Sequence, residues 1–273
     1  MRNVRAEVAY DGAGFFGWQR QDGFESVQEA LEEALAALLG GPVTVQGAGR
    51  TDTGVHALRQ VAHFHVDTRL DDDRLLHALN AHLPPTVVLR RLETCRDDFH
   101  ARFDARAKRY LYVTATSRFR QPLLSGRVHW VRTPPDFRAM RAAGAVLVGR
   151  HDYAAFGNAG SPRSSTVRTV TALRLVARRE RFAIVIQGDG FLYKMVRTIA
   201  GTLIDVGRGR LTIDDVRAAL EGGDRERAGP TAPARGLYLL RVLYDEVLFR
   251  PRTKGGGAAP PARSSTPAKK ARS

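Results

Sequence analysis

The hydrophobic period changes repeatedly between Arg5 and Leu92, and the order of those changes limits the folds open to this chain. Arg5 to Tyr10 reads as a strand and stops at Asp11-Gly12. Ser26-Val-Gln-Glu29 is a capping box; Val27, Leu31, Leu35 and Leu38 then follow at helical spacing as far as Gly40-Gly41. Strand-like segments at 43–46 and 60–66 come next. A second helix runs from Asp71 to Leu83 and is stopped by Pro84-Pro85, and Thr86 to Leu92 is again strand-like. The resulting order, β-α-β-β-α-β, is the split pattern of ferredoxin-like folds.

The rest of the chain repeats an α-plus-sheet plan loosely, without a sequence repeat that proves duplication. Lys108 to Val113 is a strand with Tyr110 and Tyr112 on one face. The passage from Arg106 to Pro135, polar and proline-rich after that strand, is the candidate crossing between halves. Phe137 to Leu147 reads as a helix, and the Gly/Ser/Pro/Arg loop Gly157–Ser165 as a mobile connection. Strands are expected at Thr166–Ala177 and Phe182–Gly188, and a helix at Phe191–Ile204 with Met195, Ile199 and Leu203 inward. A short helix over Ile213–Leu220 is capped by Thr212 and Asp215, and a closing strand spans Leu237–Leu243. Gly255 to Ser273 is low-complexity and reads as disordered. The expected division is therefore 1–105, 106–249 and a basic tail, 250–273.

No apolar run approaches the roughly 18 residues of a membrane span, and the N-terminus lacks the apolar centre of a secretory signal. The single cysteine, Cys95, excludes an internal disulfide and fits a reducing compartment, so a cytoplasmic location is expected. The formal net charge is +15; the stretch from Arg250 carries seven Lys/Arg and no acid, leaving +8 on the body. A basic body suggests a polyanionic partner, most simply nucleic acid. Arg supplies 38 of the 43 cations, however, a bias that G+C-rich coding would also produce.

Chemistry concentrates in Gly47-Ala-Gly-Arg-Thr-Asp-Thr-Gly-Val-His-Ala57. One carboxylate, Asp52, follows Arg50 and Thr51, with glycines at 47, 49 and 54 where the backbone can turn sharply or approach a ligand. An accessible carboxylate beside a guanidinium suits a nucleophile or an anchored base. An Asx-turn joining two strands would look much the same. A dinucleotide or phosphate loop is excluded, because position 52 is Asp where the first motif needs Gly, and no Gly-Lys-Ser/Thr follows.

Other candidates are weaker. His56, His63 and His65 have no cysteine or suitably spaced carboxylate beside them, so no metal site is expected. The loop Gly14-Phe-Phe-Gly-Trp-Gln-Arg-Gln21 interleaves aromatics, glycine, amides and a cation, which suits single-stranded RNA; core aromatics closing a hairpin would read alike. Arg197 interrupts the apolar run Tyr193–Ile199 and must either pair or snorkel to solvent.

Ten stretches in order then resemble one family. They are Tyr-Asp-Gly (10–12), Gly-Trp-Gln-Arg-Gln (17–21), Ser-Val-Gln (26–28), Gly-Arg-Thr-Asp-Thr-Gly-Val-His-Ala (49–57), Leu-Asn-Ala-His-Leu-Pro (79–84), His-Ala-Arg-Phe-Asp-Ala (100–105), Arg-Tyr-Leu-Tyr (109–112), Thr-Val-Arg-Thr (166–169), Gly-Asp-Gly-Phe-Leu-Tyr-Lys-Met-Val-Arg (188–197) and Gly-Leu-Tyr-Leu (236–239). Over residues 3–245 the chain resembles the tRNA pseudouridine synthase A family. The resemblance implies an α+β fold of two ferredoxin-like (RRM-like) halves, with antiparallel sheets joined around a central basic cleft and helices on the outer faces. It implies isomerisation of uridines at positions 38, 39 and 40 of the tRNA anticodon stem-loop by a cytoplasmic homodimer, with no cofactor and no metal. The family's catalytic aspartate falls on Asp52, its basic partner on Arg197 and its substrate-contacting tyrosine on Tyr110. Arg50 resembles the residue that helps hold the flipped nucleotide, and the matched stretches add Gln19, Arg20, His56 and Arg102 as substrate contacts. Thr198 and His82 stand where the family often has asparagine.

The implied reaction breaks N1–C1′, turns the uracil, joins C5 to C1′ and releases the C5 proton. No redox or group transfer is involved. The uridine must leave its stack, at a cost of a few kcal/mol, part of which an aromatic such as Tyr110 can return by stacking. Two rival readings remain at this level: a non-catalytic RNA-binding module, and a small-molecule enzyme using Asp52 as base.

Overall fold

A computed structural model describes residues 1–158 and 165–249. The loop expected at 157–165 and the tail from 250 therefore lie largely or wholly outside the described residues. Local signals explain most elements. Strand β1 is Arg2–Tyr10, and helix α1, Val27–Leu39, starts where the Ser26 hydroxyl accepts from the Glu29 N–H and ends at Gly40 in the left-handed region. The strand expected at 43–46 shrinks to β2, Gln46–Gly47. Its lost residues are satisfied by α1 instead: Val45 N–H donates to Glu32, and Val45 C=O accepts from Gln28. Strand β3 is longer than expected, His56–Val66. Helix α2 (Asp72–His82), capped by Asp71, and strand β4 (Val87–Thr94) complete the first half.

The second half comprises β5 (Ala107–Thr116), β6 (His129–Val131), α3 (Phe137–Val146), β7 (Gly149–Asp152), β8 (Val167–Arg178), β9 (Arg181–Gly188), α4 (Met195–Gly207), α5 (Ile213–Gly222) and β10 (Leu237–Leu243). Two expectations need correction. The passage 106–135 is not all crossing, because β5 lies inside the sheet between β10 and β9. Helix α4 begins at Met195 rather than Phe191, since Lys194 sits at φ 60° and cannot continue a helical turn upstream.

Among the described residues, all ten strands belong to one mostly antiparallel sheet in the order β4-β1-β3-β10-β5-β9-β8-β7, with β2 added on β3 and β6 on β5. The fold is α+β. The last strand among the described residues bridges β3 and β5: β10 is antiparallel to β5 and meets β3 in parallel at Tyr238–His56 and Leu239–Ala57. Strand β3, which follows the Asp52 loop, and β5, which carries Tyr110, are thereby held in one sheet. Under the sheet, Leu31, Leu35, Phe64, Leu79 and Leu89 are almost wholly buried, each worth about 1.5–3 kcal/mol relative to exposure.

Candidate active site

Asp52 lies between β2 and β3 on a loop fixed by backbone contacts. Ala48 N–H donates to Val61 C=O, Trp18 N–H to Thr51 C=O, and Gly54 N–H to Phe15 C=O. Val55 N–H closes the turn on the Asp52 C=O at 3.0 Å. The neighbouring loop, 12–18, can come this close only because it lacks side chains at two points. A Cβ on Gly12 would stand 2.0 Å from the Val55 oxygen, and one on Gly17 would stand 2.4 Å from the Thr51 oxygen. Beneath the loop, buried Thr51 shares a 2.8 Å hydroxyl–hydroxyl bond with Tyr10.

The opposing charge comes from α4. Arg197 Nη1 approaches Asp52 Oδ2 at 3.2 Å, with the side chains 15% and 22% exposed, so the pair is shielded but reachable. The guanidinium is aimed from behind: its Nε donates to the Ala232 C=O at 2.8 Å, while Ala232 N–H donates to the Arg197 C=O at 3.1 Å. Arg197 therefore pairs rather than snorkels. Removing one partner of such a pair is costly because the other charge is left uncompensated.

Tyr110 projects from β5, opposite Leu239 on β10 and Ile186 on β9, and meets the Phe191 ring edge-on at 5.3 Å. Burial pushes its phenol well above the usual tyrosine range, and the Tyr10 and Asp52 charges add to the effect. The hydroxyl is therefore held protonated. Its neighbour on the same face, Tyr112, donates to the Pro233 C=O at 3.0 Å, which ties β5 to the segment holding Arg197.

The other expected site residues separate into groups. Exposed Arg50 donates through Nε to Gln19, whose amide donates to Gln28; Gln28 in turn donates to Glu32. Arg20 pairs with Glu32 at 3.1 Å and Glu29 at 3.5 Å. These cations thus lie on one hydrogen-bonded chain beside the Asp52 loop. His56 is a correction: it is 2% exposed, Nδ1 faces Gly12 N–H and the Asp11 carboxylate, Nε2 meets the Gly126 C=O, and the ring stacks on Tyr238. With both nitrogens engaged internally, it holds the loop's exit and has no atom free for a substrate. Arg102 lies on the 100–104 loop with its guanidinium over Phe103, and among the described residues no hydrogen bond or ion pair joins it to the Asp52 loop. Thr198, one of the departures, is buried and shares a 3.2 Å hydroxyl contact with Thr231; His82 ends α2 with Nδ1 against the Ala78 C=O.

Sequence reasoning missed Tyr10, Phe191 and the 230–234 segment. The last carries no motif. Its trace is two glycines where it meets α4: a Cβ on Gly201 would stand 1.8 Å from the Pro230 oxygen, and one on Gly229, just before the segment, would stand 2.6 Å from the Thr202 Cα. Together the frame and site define an α+β protein whose Asp52 loop faces a shielded guanidinium, an arrangement that marks a candidate active site.

A sequence model described as tRNA pseudouridine synthase matches residues 6–104 and 143–245. The tRNA pseudouridine synthase A of Acetivibrio thermocellus is 43% identical over 244 residues, covering 89% of this chain and 100% of the relative. That of Syntrophotalea carbinolica is 44% identical over 245 residues, covering 89% and 97%. That of Rhodospirillum rubrum is 43% identical over 258 residues, covering 93% and 92%. The chain belongs to the tRNA pseudouridine synthase A family.

Proposed function

We propose that this isomerase converts uridine to pseudouridine in the anticodon stem-loop of tRNA, at positions 38, 39 and 40, with Asp52 as the catalytic carboxylate. The observation that carries the reading is the Asp52–Arg197 pair at 3.2 Å, its side chains shielded yet 22% and 15% exposed, with Tyr110 close enough to feel the Asp52 charge. The carboxylate serves the reaction by attacking C1′ or C6, or by stabilising positive charge on C1′ as the base departs. Arg197 orients it, and Tyr110 offers the displaced uracil a flat, protonated ring. Arg50, Gln19 and Arg20 supply phosphate and base contacts beside the Asp52 loop. No step requires an electron acceptor or a donor group, so no cofactor or metal is invoked.

We read residues 1–105 and 106–249 as two ferredoxin-like halves, a basic cleft running between them. The strand orders support this: β4-β1-β3-β2 in the first and β10-β5-β9-β8 in the second trace the same path along the chain. The enzyme acts in the cytoplasm as a homodimer, each anticodon arm lying across both subunits; the tail from 250 adds seven cations for nonspecific attraction. The test is tritium release from tRNA labelled at uridine C5. A synthase liberates that proton, whereas an RNA-binding module retains it while still binding tRNA, and a small-molecule enzyme does neither.

A further inference from the structure

The loop 14–24 treats its aromatics differently. Phe15 is 7% exposed and Trp18 is 2% exposed, both part of the core. Phe16 and Phe24 are instead 50% and 46% exposed, their rings 4.3 Å apart and tilted by 44°. Two exposed phenylalanines in contact leave apolar surface in water that a soluble chain has no folding reason to keep.

The pair is also fixed in place. Phe16 N–H donates to Glu25 C=O at 2.9 Å and Phe24 N–H to Gln21 C=O at 3.3 Å, closing the hairpin at its base. The residues on either side of Phe16 both touch the Asp52 loop: Phe15 C=O accepts from Gly54 N–H, and the Gly17 backbone packs on Thr51. An aromatic surface is thus set one residue from the backbone that carries the catalytic carboxylate. Asp22 and Glu25 flank it, so the tip repels phosphate, while Arg20 and Arg50 lie further along the same loop and on its neighbour. The ligand suited to this surface is a planar, uncharged group belonging to a chain whose phosphates lie elsewhere.

We propose that Phe16 and Phe24 form a stacking platform for an unpaired base of the substrate RNA next to the reacting uridine. The inference rests on the RNA-modifying function given above. When the target leaves its stack, its neighbour loses a stacking partner. The platform replaces that partner and holds the opened loop over Asp52. Because every base has a π-face, the contact is tolerant of sequence, and because no charge is involved it does not weaken with salt.

The experiment uses the full chain and a stem-loop RNA with 2-aminopurine placed on either side of the target uridine. The parent is expected to quench the fluorophore at one of these places. Phe16→Ala and Phe24→Ala should each relieve the quenching and raise the half-saturating RNA concentration by about 5- to 150-fold, a loss of stacking. The saturated rate of tritium release should fall less than about threefold, the increase should be equal at low and high salt, and Phe→Tyr at either position should restore parental behaviour. Unchanged half-saturation in both alanine variants, or a shift that vanishes at high salt, overturns the platform. If the parent releases no tritium, the function proposed above fails, and the fluorescence still decides the platform: quenching relieved by both alanine variants sustains base stacking, and undisturbed fluorescence in the parent refutes it.

Discussion

The two sides of the Asp52–Arg197 pair are built by opposite means. Asp52 is presented by a short loop whose own amides and carbonyls are bound by neighbouring loops and strands, and glycines at 12 and 17 let those neighbours reach it. Arg197 is presented by a helix with no side-chain cap, on a backbone that turns at Lys194 through the left-handed region. Its guanidinium is steered by one carbonyl, that of Ala232, 35 residues away in the chain. The carboxylate side is stiff through local backbone geometry, and the guanidinium side through tertiary contacts. A pair assembled this way fixes the carboxylate where it cannot drift and leaves its counter-charge dependent on packing far along the chain.

The sharpest way to break the comparison is at Asp52. Asp52→Asn keeps the loop's shape, since asparagine is at home in the same turns, but removes the charge. Turnover should fall by at least about 10²–10⁴-fold with folding and tRNA binding retained; a variant within about tenfold of the parent, or 1.4 kcal/mol in barrier, would refute the catalytic role. Tritium release and tRNA affinity on one folded preparation decide it.

Glycine substitutions attack the two supports separately. Gly12→Ala would drive a methyl into the Val55 carbonyl, and Gly201→Ala into that of Pro230. Each should cost about 1–3 kcal/mol of stability or more, read from denaturant midpoints. If the guanidinium is held by tertiary contacts, folded Gly201→Ala should lose turnover by detaching Ala232 from Arg197. A variant that is less stable but fully active would show that the Ala232 contact does not position the guanidinium.

Arg197→Lys retains charge and loses the planar fork that reaches Asp52 and Ala232 together. Saturated turnover should drop by about 10- to 100-fold, the worth of a hydrogen bond to a charged group, about 1.5–3 kcal/mol. At Tyr110 the effect should divide by chemistry. Phe keeps the ring and substantial activity, whereas Leu loses about 1–3 kcal/mol of it; equal loss in both would mean that the hydroxyl, held protonated by burial, takes part in proton transfer.

The smallest effect is acid sensitivity, and it has a source in each half. Burial, reinforced by His100, lowers His63 to about 4; burial, reinforced by Arg208 and Arg235, lowers His129 to about 4. Below the ordinary histidine value of about 6.5 the unfolded chain takes up protons that these folded sites refuse. Stability is therefore full above that pH, falls as pH drops toward 4, and levels off below it. His63→Gln and His129→Gln should each flatten the fall in denaturant midpoint between pH 7 and pH 4.5, and a slope equal to the parent's in both would remove the two histidines as its cause.

What the sequence determined by itself was whatever depends on near neighbours. The Ser26 and Thr212 caps, the apolar stripes of α1 and α2, and the glycine-bracketed turn at Asp52 follow from spacings of a few residues, because capping bonds and helical faces are local. The ordered motifs carried the resemblance to the family, and with it Asp52 and Arg197 as the candidate pair. The tertiary structure alone decided how the halves join. Insertion of β10 between β3 and β5 depends on pairing strands far apart in the chain, and nothing within Leu237–Leu243 names its neighbours. It also decided the fates of side chains that read alike: Phe15 against Phe16, one in the core and one in water, and His56, which looks like a ligand-facing histidine until Asp11, Gly12 and Gly126 are seen to occupy both its nitrogens. Burial and the satisfaction of polar atoms are set by groups that only folding brings together.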